Sequence, residues 1–157
     1  MPRIPLSDLG DTTADRILGH RPELLDAWAS LTQALVVPSS TLSPHLKEEV
    51  RRTVAQHTGC AYCASLGKPA ARQQDEKEAL AVAFAEAVAA EHTAISGAQV
   101  TGLFDAFTIP QVVELLTWIS FESVGQMLGS LVGDEPATAK QREAFATSVA
   151  GQPQPSR

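Results

Sequence analysis

Between Pro22 and Val149 the apolar residues recur at three- and four-residue steps, and no convincing stretch alternates apolar with polar. A chain patterned this way can bury a stripe along each helix but has little from which to build a sheet. The expected fold class is therefore all-α, a helical bundle. Aromatic residues at 5% and abundant alanine agree with that expectation.

The expected helices follow from their start and stop signals. The first strong one runs from about Pro22 to Val36, with Leu24, Leu25, Trp28, Leu31 and Leu35 as its stripe, and Pro38-Ser39-Ser40 breaks it. Ser43-Pro44, a cap followed by a first-turn proline, opens a second helix to about Thr58, with Leu46, Val50 and Val54 inward. Gly59 ends it, since a helix exit favours a residue tolerant of positive φ. A short helix over about Ala61 to Leu66 follows, then a long one over Asp75 to Glu91 with Leu80, Phe84, Ala87 and Val88 inward. Ser96 and Gln99 form a capping box ahead of a helix through Phe107. Thr108 and Gln111 repeat that box ahead of the most apolar helix, about Pro110 to Leu131, whose apolar residues cover more than one face. Such a helix is central in its bundle or buried against a second subunit. After the break at Gly133-Asp134-Glu135-Pro136 a weaker helix reaches Val149. Trp28, Trp118 and Met127 fall at helical spacing among aliphatics and are expected in the core.

A length of 157 residues suits a single domain over 1–150, with 151–157 as a loose tail. The net charge of −6, with no basic cluster beyond Arg51-Arg52, disfavours nucleic acid and anionic lipid as partners. The stretch from Ile109 to Val132 contains Gln111, Glu114, Glu122 and Gln126, which argues against a membrane span. Met1 to Pro5 lacks the apolar run of a signal peptide, so a cytoplasmic location is expected. Thiols there are normally reduced. A close cysteine pair in that compartment points to catalysis, redox sensing or a metal more than to a structural staple.

Cys60 and Cys63 are the only cysteines, three residues apart just after Gly59. Two thiols on one helical turn can close a small disulfide and so carry two electrons. A thiolate near a helix start is favoured by free backbone N–H groups and the positive end of the macrodipole. A thioredoxin-like module would need a preceding strand, and none is present. Upstream lies Glu48, twelve positions before Cys60, on the helix Glu48-Glu49-Val50-Arg51-Arg52-Thr53-Val54-Ala55-Gln56-His57.

The segment from about Leu42 to Leu66 resembles the carboxymuconolactone decarboxylase superfamily, in particular its alkyl hydroperoxidase D-like branch. His20-Arg21-Pro22-Glu23-Leu24 also looks like the opening of many members. The resemblance implies a bundle of about six to eight helices that is an obligate oligomer, a homotrimer or homohexamer. It implies an antioxidant peroxidase in which Cys63 attacks the peroxide, Cys60 resolves the sulfenic acid as a disulfide, and Glu48 relays a proton. Electrons would come from an external dithiol, lipoyl or thioredoxin-type, with no metal or organic cofactor. The relay histidine of the best-developed members falls at Gly67 here, and Tyr62 stands where some members carry a second histidine.

Blander readings exist for each residue. The cysteines can be two small buried side chains. Glu48 lies opposite the Leu46, Val50, Val54 stripe and can be a surface ion pair with Arg52 or Arg51. Arg51-Arg52 reads as a solvated or inter-subunit ion-pairing face. His57 can join Cys60 and Cys63 in a metal site that lacks a fourth ligand, or cap its helix end, the favoured reading. Tyr62 can hydrogen-bond but not act as a base at neutral pH. Two rival functions stand beside the peroxidase. One is a non-catalytic redox sensor or assembly protein of the same fold. The other is the lactone decarboxylase, whose members generally lack the cysteine pair.

Overall fold

A computed structural model describes residues 2–36 and 40–151; the expected break at Pro38-Ser39 and the tail from 152 onward lie outside them. The described residues form eight α-helices and two short 3-10 turns, with no strand. They are α1 (Thr13–Leu18), α2 (Pro22–Val36), α3 (Pro44–Ala55), α4 (Ala61–Ser65), α5 (Glu76–Glu91), α6 (Gly97–Gly102), α7 (Ile109–Val132) and α8 (Ala139–Ala150). The all-helical fold expected from the periodicity is the one observed.

The caps explain most boundaries. Ser43 Oγ accepts from the Leu46 N–H and Pro44 takes the first turn of α3. The Ser96–Gln99 and Thr108–Gln111 boxes open α6 and α7 as expected, and Gly133 closes α7 at φ 77°. Three boundaries differ. Helix α3 stops at Ala55, because the Gln56 and His57 N–H groups turn back to Thr53 and Val54 and Gly59 then adopts φ 72°. The helix expected through Phe107 is α6 followed by a 3-10 turn over Leu103–Asp105. Helix α1 was not expected; its Thr12–Asp15 capping box starts six residues, none of them buried.

The core is built where α3 packs between α5 and α7. Leu46, Val50 and Val54 of α3 meet Ala81, Phe84 and Ala85 of α5 and Val112, Leu115, Trp118 and Ile119 of α7, closed by Leu35, Leu42, Leu103 and Phe107. Trp118 is in the core, Trp28 is half-buried, and Met127 is exposed rather than core. Leu24 and Leu31 of α2 are exposed as well, so only part of that stripe is used within the chain.

Helix α3 departs most from its sequence. With Lys47, Glu48, Glu49, Arg51 and Arg52 it looks amphipathic, yet only His45 is exposed and Arg52 half-buried, the rest being buried. The charges survive burial because each has a partner. Lys47 Nζ meets Glu114 Oε1 at 2.5 Å, and it also donates to the Leu35 carbonyl. Glu114 in turn accepts from Ser40 Oγ and from the Thr41 N–H and hydroxyl. Trp118 Nε1 donates to the Lys47 carbonyl at 2.9 Å, pinning α7 on α3. No helix among the described residues is long and apolar enough to cross a membrane.

Candidate active site

Gly59, at positive φ, turns the chain out of α3 so that Cys60 caps the next helix. Its Sγ accepts the Cys63 N–H at 3.1 Å, and the two sulfurs are joined as a disulfide with Cα atoms 5.3 Å apart. The members of the pair are not equivalent. Cys60 is 0% exposed, whereas Cys63 is partly open to solvent. Gly129 of α7 makes room for the buried sulfur: a Cβ there would stand 2.8 Å from Cys60 Sγ and 3.2 Å from Asp134 Oδ2.

Arg51 links the pair to α3. Its Nη1 donates to the Cys63 carbonyl at 3.2 Å, while Nε and Nη2 grip Glu48 at 2.7 and 2.9 Å. Arg52 Nε adds a third bond to Glu48 at 2.7 Å. Glu48 therefore pairs with both arginines, but it is 6% exposed and Arg51 5%, so the surface pairing and the solvated arginine face are both corrected to a buried network. Arg52 Nη1 also reaches Glu49, whose other oxygen accepts the Ala70 N–H. Gly67, at φ 138°, lies under this arginine: a Cβ there would meet Arg52 Nε at 3.2 Å. A guanidinium thus occupies the space that a side chain at position 67 would enter.

On the other side of Arg51 an open cleft of about 190 Å³ is walled by Trp118, Phe121 and Phe145, with Lys47, Glu48, Arg51 and Glu122 among its polar residues. The Arg51 guanidinium lies 4.8 Å from the Phe145 ring centroid. Burial pushes the Glu122 carboxyl up to about 7, against the pull of its Gln126 hydrogen bond and Arg51; Glu48 nearby adds to the rise. Gln126 is buried and ties α7 to α3 through the Arg51 carbonyl and to the turn after α3 through the Thr58 hydroxyl.

Tyr62, half-buried beside the pair, has its phenol pushed up by burial and by the Asp134 charge, with Arg51 acting the other way. Asp134 is also pushed up, by burial. His57 pairs instead with Glu86 of α5 at 2.8 Å. Among the described residues no group of three or more His, Cys, Asp or Glu is placed to hold a metal ion.

The structure thus brings Cys60, Cys63 and Tyr62 together, connects Glu48 to them through Arg51, and directs His57 elsewhere. Arg51, Gly129, Glu122 and Asp134 were not singled out from the sequence as site residues. Glu122 and Gln126, polar residues four apart on the most apolar helix, were the available signal. Asp134 gave none beyond marking a helix break.

Fold and site define an all-helical bundle carrying one Cys-x-x-Cys couple, half sealed and half open. The solved structures include a similar one, an uncharacterized peroxidase-related protein from Silicibacter sp. TM1040. It superposes with a TM-score of 0.72 at 17% identity, covering 83% of this chain and 78% of that one. No protein-family model and no curated protein matches the sequence. At that identity the likeness is one of fold.

Proposed function

We propose that this protein is a thiol-dependent peroxidase or disulfide oxidoreductase of the alkyl hydroperoxidase D-like type, reducing alkyl hydroperoxides through Cys63 and Cys60. The observation that carries the reading is the disulfide between a sealed Cys60 and a partly open Cys63 in the first turn of α4. Cys63, the more exposed residue of the two, is the one assigned to meet an external oxidant. Its thiolate attacks the peroxide, an S–O bond forms as the O–O bond breaks, and the departing alkoxide takes a proton from solvent to leave as the alcohol. Cys60 then attacks the sulfenic acid, the disulfide closes and water leaves. An external dithiol restores both thiols by exchange.

A thiol with an ordinary pKa is mostly protonated at neutral pH, so the site needs a positive field. Arg51, bonded to the Cys63 carbonyl, supplies a cation whose charge Glu48 partly offsets. Glu48 accepts three guanidinium N–H bonds, filling three of the roughly four acceptor positions of a carboxylate. Its proposed part in proton handling is thereby exercised through Arg51, which it fixes on the Cys63 carbonyl. Steady-state reduction of tert-butyl or cumene hydroperoxide by pre-reduced protein tests the reading against Cys63→Ser; equal rates in both refute it.

The arginine under Gly67 favours a second reading, a redox sensor of the same fold that oxidises once and turns over slowly. Excess hydroperoxide separates the two. A sensor loses its thiols reversibly without consuming more than stoichiometric oxidant. In either reading the chain assembles with copies of itself, and the exposed apolar residues of α7 suit that contact.

A further inference from the structure

We infer that the Asp134 carboxyl carries the proton that the Cys60 sulfur takes up when the disulfide opens and gives away when it closes. The inference rests on the reading of Cys60–Cys63 as a redox couple and assigns a residue to it.

Cys60 has a proton problem that Cys63 does not. Its residue is 0% exposed, so a thiolate leaving there meets no bulk water. An unsolvated thiolate is a poor leaving group, and a nearby acid that protonates it as the S–S bond breaks removes that cost. Asp134 is placed for the task. Its Oδ2 and Cys60 Sγ lie 3.2 and 2.8 Å from one point, the vacant Cβ position of Gly129, so the two atoms are at most 6.0 Å apart, within reach of direct transfer or of one bridging water. The Asp134 N–H donates to the Gly129 carbonyl at 3.0 Å, so the backbone holds the carboxyl there. Glu48 is the rival acid, and three guanidinium bonds already engage it.

Charged and titratable groups near Asp134 include Glu135, next to it in the chain, and residues of three other elements. From α4, Tyr62 feels the Asp134 charge directly. From α3, Arg51 acts on the same phenol and holds the Cys63 carbonyl. From the N-terminal segment, Arg3 covers Gly133 and donates to the Ser130 and Leu131 carbonyls. Burial raises the affinity of Asp134 for its proton, which keeps the acid form available nearer neutrality.

A thiolate of the external dithiol attacks Cys63 Sγ, a mixed disulfide forms, and the Cys60–Cys63 bond breaks with both electrons going to Cys60. The Asp134 proton then passes to Cys60, leaving a thiol and a carboxylate. Closure on the sulfenic acid runs the proton the other way: the Cys60 thiol gives its proton to the Asp134 carboxylate, the S–S bond forms as the S–O bond breaks, and the departing hydroxide takes a proton from solvent to leave as water.

The test is the rate at which dithiothreitol reduces the oxidised protein, in wild type and Asp134→Asn, from about pH 5 to about pH 9. Taking the ratio of the two rates cancels the ionisation of dithiothreitol. The ratio is expected to favour wild type at least about tenfold at the acid end and to fall below unity at the alkaline end. There the wild-type carboxylate repels the leaving thiolate. Asp134→Ser repeats the measurement with a short polar side chain should the Asn protein not fold. A ratio that stays constant across pH overturns the inference, because a packing role alone has no reason to titrate. No hydroperoxide is used, so loss of the peroxidase reading and loss of this one are separate results.

Discussion

Gly129 lies against Cys60 so closely that a methyl group in place of its hydrogen would come within 2.8 Å of the Cys60 sulfur. The contact joins the longest helix to the redox pair. Gly129→Ala should therefore cost the oxidised protein about 1–3 kcal/mol of stability, the usual range for overpacking. In the reduced protein Cys60 can rotate away, and the cost should be smaller. Urea unfolding with and without dithiothreitol measures both; an equal loss in the two forms argues that the sulfur is not what the methyl strikes.

Glu122 binds its proton more tightly in the fold than in the unfolded chain, with a pKa raised from the ordinary 4.5 to about 7. Native protein therefore holds the extra proton between those values, and stability falls as pH rises through them. Glu122→Gln should remove the effect, stabilising the protein by about 1–3 kcal/mol at about pH 8 and little at about pH 4. The upper limit is tempered because the cleft admits water. Denaturant midpoints at the two pH values check the sign, and a variant less stable at the alkaline value contradicts it.

Buried Lys47 and half-buried Glu114 form the ion pair that fastens the start of α3 to α7. Lys47→Ala leaves Glu114 without its cation and opens space beside Trp118, so a loss of about 3–5 kcal/mol is expected. Lys47→Ala combined with Glu114→Gln should recover part of that loss. Thermal unfolding of the single and double variants reads the difference; a double variant worse than the sum of its parts contradicts the pairing.

On the outer side of α7, Val113, Val124, Met127 and Leu131 are all exposed, Met127 at 53% and Leu131 at 66%. Their intervals of eleven, three and four residues keep them on one helical face. If copies of the chain meet there, Met127→Glu with Leu131→Glu should yield a monomer, while wild type is larger. Light scattering in solution decides, and a monomeric wild type contradicts the assembly.

The fold was readable because its signals are local. The Ser43-Pro44 start, the Ser96–Gln99 and Thr108–Gln111 boxes and the Gly133 stop each act within one turn of their helix. The cysteine pair was readable for the same reason. What could not be read was the environment of α3. A helix wheel assigns Glu48 and Arg51 to water, but α7, α8 and the segment after α4 cover that side, and the charges neutralise one another. Gly129 and Asp134 are distant from Cys60 in sequence and are brought to its side only after α7 has docked. Such contacts leave no periodic trace.

The proposed chemistry needs a Cys60–Cys63 couple that opens and closes, and counting thiols tests that most directly. Fully reduced protein is given one equivalent of tert-butyl hydroperoxide per chain, and its thiols are titrated before, after, and again after dithiothreitol. Both thiols of each chain should disappear together and then return, while Cys63→Ser keeps its remaining thiol throughout. If wild-type protein still shows both thiols after the hydroperoxide, the couple is inert and the proposed chemistry is wrong.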